Sequence, residues 1–442
     1  MLNFRIKQHI TAIFRRNPQS MRIYKGMKIH FIGICGASMQ ALADFARARG
    51  NTVTGSDVEL FGHDAENVKG CDLVVYTSAV PADNVELVAA KKRGIPTVER
   101  AEFLGRISRT FGNVIAVAGC HGKSTATAML GKIFDDATLH VGVAKASRTG
   151  SRRLLITEAC EYRESFLHLS PDLSIILNIK YDHPDFYRDL DSLARAYRRF
   201  AARSDTVLVN GDDELCARLG ARFTFGTGKS CMFRAEDIAD SADGCAFTFC
   251  TDKIKKRVEL SVSGEHNAMN ALAALSAAKI AGADLDESIE KLKDFTGLPR
   301  RFQKLGCAFG KDVYTDYAHH PDEINATLKT ARALYGSIAV VFQPHTYSRT
   351  ASLEDRFADA LAAADAVVFA PVFAARETPI FGVSSHSVCR KLVDMGKDAY
   401  CFDTFGEINE YCEKLPQDAI IFMGAGNIDL AAKQFVENGT YV

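Results

Sequence analysis

The 442 residues carry 54 basic and 54 acidic side chains, with 47% hydrophobic and 24% charged residues. This suits a globular chain of about three domains, and the charge balance offers no broad field to nucleic acid or to a membrane surface. The 12 cysteines include no C-x-x-C pair, which argues for a reducing, cytoplasmic setting, and no apolar run nears the roughly 18 residues that span a bilayer.

Residues 1–26 form a basic extension. They hold Arg5, Lys7, Arg15, Arg16, Arg22 and Lys25 and no acid, with Ile6, Ile10, Ile13 and Phe14 able to share a helix face. The segment reads as a mobile tail or as sequence upstream of a start at Met27, with a membrane-surface or partner helix as the alternative. It lacks the apolar core and cleavage site of a secretion signal.

Residues 27–107 read as a small Rossmann-like α/β domain. A buried strand, Lys28–Ile34, leads to a turn holding Gly33 and Gly36 and to a helix, Gln40–Arg49. A second strand ends at Asp57, about twenty residues beyond the glycines, and strands Asp72–Thr77 and Pro96–Val98 follow. The dinucleotide fingerprint fails, because Cys35 and Ser38 stand where its second and third glycines belong. The turn is expected to take a nucleotide other than NAD.

Residues 108–297 read as a central P-loop-type ATPase domain with a parallel sheet. Val114–Val117 is a short buried strand, Gly119-Cys120-His121-Gly122 a turn, and Lys123-Ser124-Thr125 the opening of a helix. Such a turn aims several backbone N–H groups and a helix dipole at one spot; Lys123 adds a charge for terminal phosphates and Ser124 a hydroxyl for Mg²⁺. The loop is a shortened form, G-x-x-G-K-S, since Val117 occupies the first glycine of the full pattern. Strand Leu154–Thr157 runs into Glu158, with Glu161 close by, and Leu173–Leu177 runs into Asn178 and Asp182-His183. If these strands neighbour the first, Lys123, Ser124, Glu158 and His183 meet at one sheet edge as a Mg-nucleotide site. Further on, Asn267 and Asn270 share a face of a helix expected over Ala268–Ala281; His266 and Asn267 read equally well as its caps.

Residues 298–442 read as a second Rossmann-like unit with polar strand ends. Asp312–Thr315 leads to Asp316-Tyr317-Ala318-His319-His320, and Ile338–Phe342 to Gln343-Pro344-His345 and Arg349. Ala366–Ala370 is followed by Arg376-Glu377, and Ala419–Met423 ends at Gly424 and Gly426-Asn427.

In order, these segments resemble the Mur ligase family over nearly the whole chain from Met27. The carriers include Gly119-Cys-His-Gly-Lys-Ser124, Glu158-Ala-Cys-Glu-Tyr162, Gly264-Glu-His-Asn267, Arg300-Arg-Phe-Gln303, Asp316-Tyr-Ala-His-His-Pro321 and Gln343-Pro-His-Thr-Tyr-Ser-Arg-Thr350. The His-His-Pro and Gln-Pro-His segments match the alanine-adding branch. The resemblance implies ATP and Mg²⁺ as cofactors, UDP-N-acetylmuramate and L-alanine as small-molecule substrates, neither nucleic acid nor stable membrane insertion, and a monomer or homodimer.

It also implies roles. The backbone of Gly119, Cys120, His121 and Gly122, with Lys123 and Thr125, would hold the ATP phosphates. Ser124, Glu158 and His183 would hold metal. Asn267 and Asn270 would lie by adenine, Arg301 by phosphate and Asp316 by ribose. Tyr317, His345 and Arg349 would line the amino-acid and reacting-carboxylate region, and Lys123, Glu158, His183, His345 and Arg349 would carry catalysis.

Four departures stand out. Few residues separate Asp57 from Gly62-His63, the stretch before Glu158 lacks the expected glycine- and asparagine-bearing substrate loop, Lys180 replaces an acid, and Cys35 replaces a glycine. They leave as alternatives a Mur-type ligase with another acceptor or a non-UDP substrate, or a degenerate ATP-binding regulatory homologue.

Overall fold

The computed structural model describes residues 25–439, apart from 59, 61, 242, 243 and 376. The basic extension up to residue 24 and Arg376 therefore lie outside the described residues. Three sheets follow one another along the chain. The first comprises β1 (Lys28–Ile32), β2 (Thr52–Ser56), β3 (Leu73–Tyr76) and β4 (Thr97–Glu99), all parallel in the order β2-β1-β3-β4. Strand β1 is buried from Ile29 to Ile32, as befits a parallel strand covered on both faces.

The central sheet holds β5 (Asn113–Ala118), β6 (Thr138–His140), β7 (Leu154–Glu158), β8 (Leu173–Ile176), β9 (Thr206–Asn210), β10 (Phe223–Gly226), β11 (Phe233–Ser241), β12 (Gly244–Cys250) and β13 (Lys255–Leu260). Its order is β13-β12-β11-β10-β9-β8-β5-β7-β6, parallel from β6 to β11 and antiparallel beyond. Strand β5 thus lies between β7 and β8, and the order reverses there; ligands of open α/β sheets bind at such a point.

The third sheet contains β14 (Gln303–Ala308), β15 (Lys311–Asp316), β16 (Ile338–Phe342), β17 (Ala366–Phe369), β18 (Asp398–Cys401) and β19 (Ala419–Met423), ordered β14-β15-β19-β16-β17-β18. All pairs are parallel except the β14 edge, which the sequence reading did not anticipate.

Two helix starts differ from expectation. The helix expected from Gln40 begins at Ala37. The helix expected from Ala268 spans Glu265–Ile280 behind Gly264, which caps it without a side-chain hydrogen bond, so His266 and Asn267 lie in its first turn and are not its caps. That alanine-rich helix is buried along most of its length against the central sheet, which is why its small residues suit it. The first two sheets share apolar packing: Phe31 and Phe103 meet edge to face, 5.7 Å between centroids, in the cluster that includes Val114, Ala116 and Ile176. Among the described residues no helix is long and apolar enough to cross a membrane.

Candidate active site

Strand β5 delivers the chain into Gly119–Gly122, and the helix Lys123–Ile133 leaves it. Gly122 has φ +81°, and a Cβ there would sit 2.5 Å from Asn270 Oδ1, so only glycine fits the turn. Lys123 folds back over the loop. Its Nζ donates to the Gly119 carbonyl, to the Cys120 carbonyl at 3.1 Å, and to Glu161 Oε1 at 3.2 Å. Burial works against the Lys123 charge, yet Glu161 and its neighbours outweigh it and raise the lysine above its ordinary pKa.

Glu161, Asp182 and His183 each bring one donor atom to within 4.8 Å of the others. His183 Nε2 lies 3.5 Å from Glu161 Oε1 and 3.7 Å from Asp182 Oδ2. Burial opposes the charge on Glu161, but Lys123 and His183 hold its pKa below the usual range. Arg349, from the helix Tyr347–Leu361 of the third sheet, donates through Nη2 to Asp182 Oδ1 at 3.0 Å and through Nη1 to His345 Nδ1 at 3.2 Å. His183, Arg300, Phe302 and Thr346 all have positive φ, a concentration of backbone strain typical of working sites.

Beside the turn lies a cavity of about 310 Å³ lined by Gly122, Thr125, Asn267, Asn270, Arg301 and Asp316. Residues from two sheets thus enclose one space. Asp316 accepts from the backbone N–H groups of Phe302 and Ala318, both at 2.6 Å, while burial pushes its pKa up to about 6. Glu323 sits at the centre of the polar wall, 3.2 Å from His121 Nδ1, 3.2 Å from His319 Nδ1 and 3.6 Å from Arg301 Nη1.

Comparison with known proteins decides what this cleft belongs to. Residues 28–112 match the description Mur ligase family, catalytic domain; 117–278 match the Mur ligase middle domain; 300–426 match the Mur ligase, glutamate ligase domain. The chain belongs to the Mur ligase family. It is similar to the UDP-N-acetylmuramate–L-alanine ligase of Lachnospira eligens, 40% identical over 90% of this chain and 96% of the relative. The ligase of that name from Acetivibrio thermocellus is 38% identical over 93% and 96%. Among solved structures, UDP-N-acetylmuramate-alanine ligase from Thermotoga maritima aligns with TM-score 0.81 and 29% identity, covering 94% of this chain and 99% of that one. A murein peptide ligase from Psychrobacter arcticus shares the fold, with TM-score 0.70 at 23% identity over 94% and 99%.

Within this Mur ligase the expected residues fall unevenly. Lys123 and His183 face Glu161, and Ser124 is buried in the first helical turn. Glu158 turns Oε1 to the Gly142 N–H, 2.8 Å away, instead of joining the cluster of Glu161, Asp182 and His183. The Cys120 thiol is buried and donates to the Lys180 carbonyl at 2.8 Å. Lys180, the unexpected base, pairs with Asp213 at 3.3 Å, and Cys35 gives its backbone N–H to Asp57 Oδ2 at 3.0 Å. Glu161, Asp182 and Glu323 were given no role from sequence. The signal for Glu323 is faint, because an acid in the first turn of Pro321–Leu334 reads as a partner for the helix dipole.

Proposed function

We propose that this chain is an ATP-dependent ligase joining L-alanine to the carboxylate of UDP-N-acetylmuramate through an acyl phosphate. The observation that carries the reading is the meeting, in one cleft, of the phosphate-loop lysine, the Glu161–Asp182–His183 cluster and Arg349 from another sheet, in a chain 40% identical to a relative of that name. The backbone of Gly119–Gly122 and Lys123 hold the ATP phosphates. Asn267 and Asn270 flank adenine, Asp316 the ribose and Arg301 a phosphate. Ser124 and Glu158 would hold one Mg²⁺ and His183 a second metal near the acyl phosphate; carboxylate and hydroxyl donors suit a hard divalent ion, and Glu161 and Asp182 add oxygens within reach of His183. Bound there, Mg²⁺ would neutralise phosphate charge.

A carboxylate is a poor electrophile. A lactyl oxygen takes the terminal phosphoryl group as its bond to ADP breaks; the alanine amine then adds to the acyl carbon, phosphate leaves, and the amine's proton is lost as the amide forms. Lys123 supplies positive charge and position for the first step, which needs little else from a protein. Arg349, oriented by Asp182 and His345, lines the amino-acid and reacting-carboxylate region together with His345 and Tyr317. Contact between the two sheets excludes water that would hydrolyse the acyl phosphate. The substrates and the absence of disulfides among the described residues fit a cytoplasmic enzyme.

Phosphate release with ATP, UDP-N-acetylmuramate and each amino acid in turn tests the reading. Alanine-dependent release is expected. Release only with another acceptor would assign a different Mur-type ligase, and none with any acceptor would assign a regulatory homologue.

A further inference from the structure

Strand β6 ends at His140, whose ring is buried where the first and second sheets meet. Its Nδ1 lies 3.0 Å from Thr157 Oγ1 and its Nε2 lies 2.9 Å from Ser38 Oγ, in the first turn of the helix Ala37–Ala48. The proton positions follow from the neighbours. Thr157 Oγ1 donates its only hydrogen to the Glu158 carbonyl at 2.9 Å, so it accepts from His140 Nδ1–H. That leaves Nε2 as an acceptor for the Ser38 hydroxyl, and the Ser38 oxygen in turn accepts from Arg100 Nη1 at 3.3 Å. Every donor points the same way, from Arg100 to Ser38, to His140, to Thr157 and to Glu158. Burial and the nearby Arg100 push the His140 pKa down to about 3, which keeps the ring neutral as this arrangement requires.

The same strand end reaches Glu158 a second time. Two residues after His140, the Gly142 N–H donates to Glu158 Oε1. Ser38, Arg100, His140, Gly142 and Glu158 line one cavity of about 200 Å³.

We propose that His140 is a positioning residue for the sugar nucleotide, linking Arg100, at the start of the helix Arg100–Ser108 that follows β4, to Glu158 on the second sheet through one directed hydrogen-bond chain. The cavity beside that chain takes an anionic group of the sugar nucleotide against Arg100, so its occupancy and the placing of Glu158 are coupled. The inference rests on the function proposed above. It assigns to the short stretch between β6 and β7 the work of seating Glu158.

The test compares His140→Leu, His140→Gln, Ser38→Ala and the His140→Leu/Ser38→Ala double variant. Removing one buried link is expected to raise KM for UDP-N-acetylmuramate about tenfold, and KM for ATP with it through the displaced Glu158, while KM for L-alanine moves by less than about twofold. The double variant should be no worse than His140→Leu alone, and glutamine, which both donates and accepts, should recover most of the loss. An equal change in the KM for L-alanine, no change in the KM for UDP-N-acetylmuramate, or multiplying effects in the double variant would overturn the proposal. Ser38→Ala, a small change on a half-buried helix turn, keeps the test open if His140→Leu fails to fold. Wild-type protein is assayed first: without alanine-dependent phosphate release the functional reading itself fails. The chain is then judged by amide exchange of residues 37–40, which should quicken in Ser38→Ala and stay unchanged if the chain holds nothing.

Discussion

Arg349 Nη2 and Asp182 Oδ1, 167 residues apart in sequence, lie 3.0 Å apart with both side chains nearly buried. The pair ties the third sheet to the loop that carries His183. Burial opposes the charge on Asp182, but Arg349, His183 and His319 prevail and hold its pKa well below the ordinary range. Loss of one partner from such a pair typically costs about 3–5 kcal/mol, because a buried charge is left behind. Arg349→Met should therefore lower kcat/KM by about 100-fold or more and loosen the third sheet from the second. Steady-state kinetics and small-angle scattering check this; wild-type kcat/KM in the variant would show that the tie is not used.

Lys123→Ala should abolish turnover, a loss of at least about 10³-fold, since the Lys123 ammonium is the one that folds back over the loop among the described residues. The fold should persist, because His183 still faces Glu161 and the helix Lys123–Ile133 keeps its apolar packing. Circular dichroism and melting curves beside the phosphate-release assay separate the two effects. Near-normal turnover would remove the lysine from the reaction.

Gly122→Ala introduces a methyl group 2.5 Å from Asn270 Oδ1 at a φ of +81°. Either Asn270 moves out of the cavity or the turn opens. Both outcomes weaken ATP binding, by about 1–3 kcal/mol, or about fivefold to 150-fold in Kd. Calorimetric titration with a non-hydrolysable ATP analogue measures it.

Glu86, in the first turn of the helix Val85–Lys92, is fully buried against the first sheet and accepts from Ser56 Oγ and Asn67 Nδ2, both at 2.6 Å, while His63 Nδ1 lies 2.8 Å and His30 Nε2 3.4 Å away. Burial opposes its charge, yet these contacts bring its pKa down to about 2. A depressed carboxylate contributes stability that is full above the ordinary value near 4.5 and is lost as pH falls towards about 2. Glu86→Gln should remove that acid-side slope, worth on the order of 3 kcal/mol. Denaturant unfolding at a series of pH values from 2 to 6 follows it; an unchanged slope would mean the cluster does not titrate with folding.

Much of the architecture could be read in advance because parallel strands buried on both faces appear as unbroken apolar runs. Val114–Val117, Ile338–Phe342 and Ala419–Met423 all declared themselves in this way. The phosphate loop was equally plain, since Gly119 and Gly122 are demanded by local backbone geometry and the charged Lys123 follows them directly. Strand β14 was not, because its half-exposed, glycine-bearing run Gln303–Ala308 gains its identity only from pairing with β15.

The sequence alone determined which residue types the site contains and, through family likeness, their order. Which carboxylate faces the lysine was decided only in three dimensions. Glu158 and Glu161 are three residues apart and chemically near-identical, yet one is drawn to the Gly142 N–H and the other to Lys123 and His183. Arg349 meeting Asp182, and His140 meeting Ser38, are long-range choices of the same kind. Local propensity is set by neighbours in the chain, whereas a side chain's partner is set by which sheets pack together, and that information is spread over the whole apolar core.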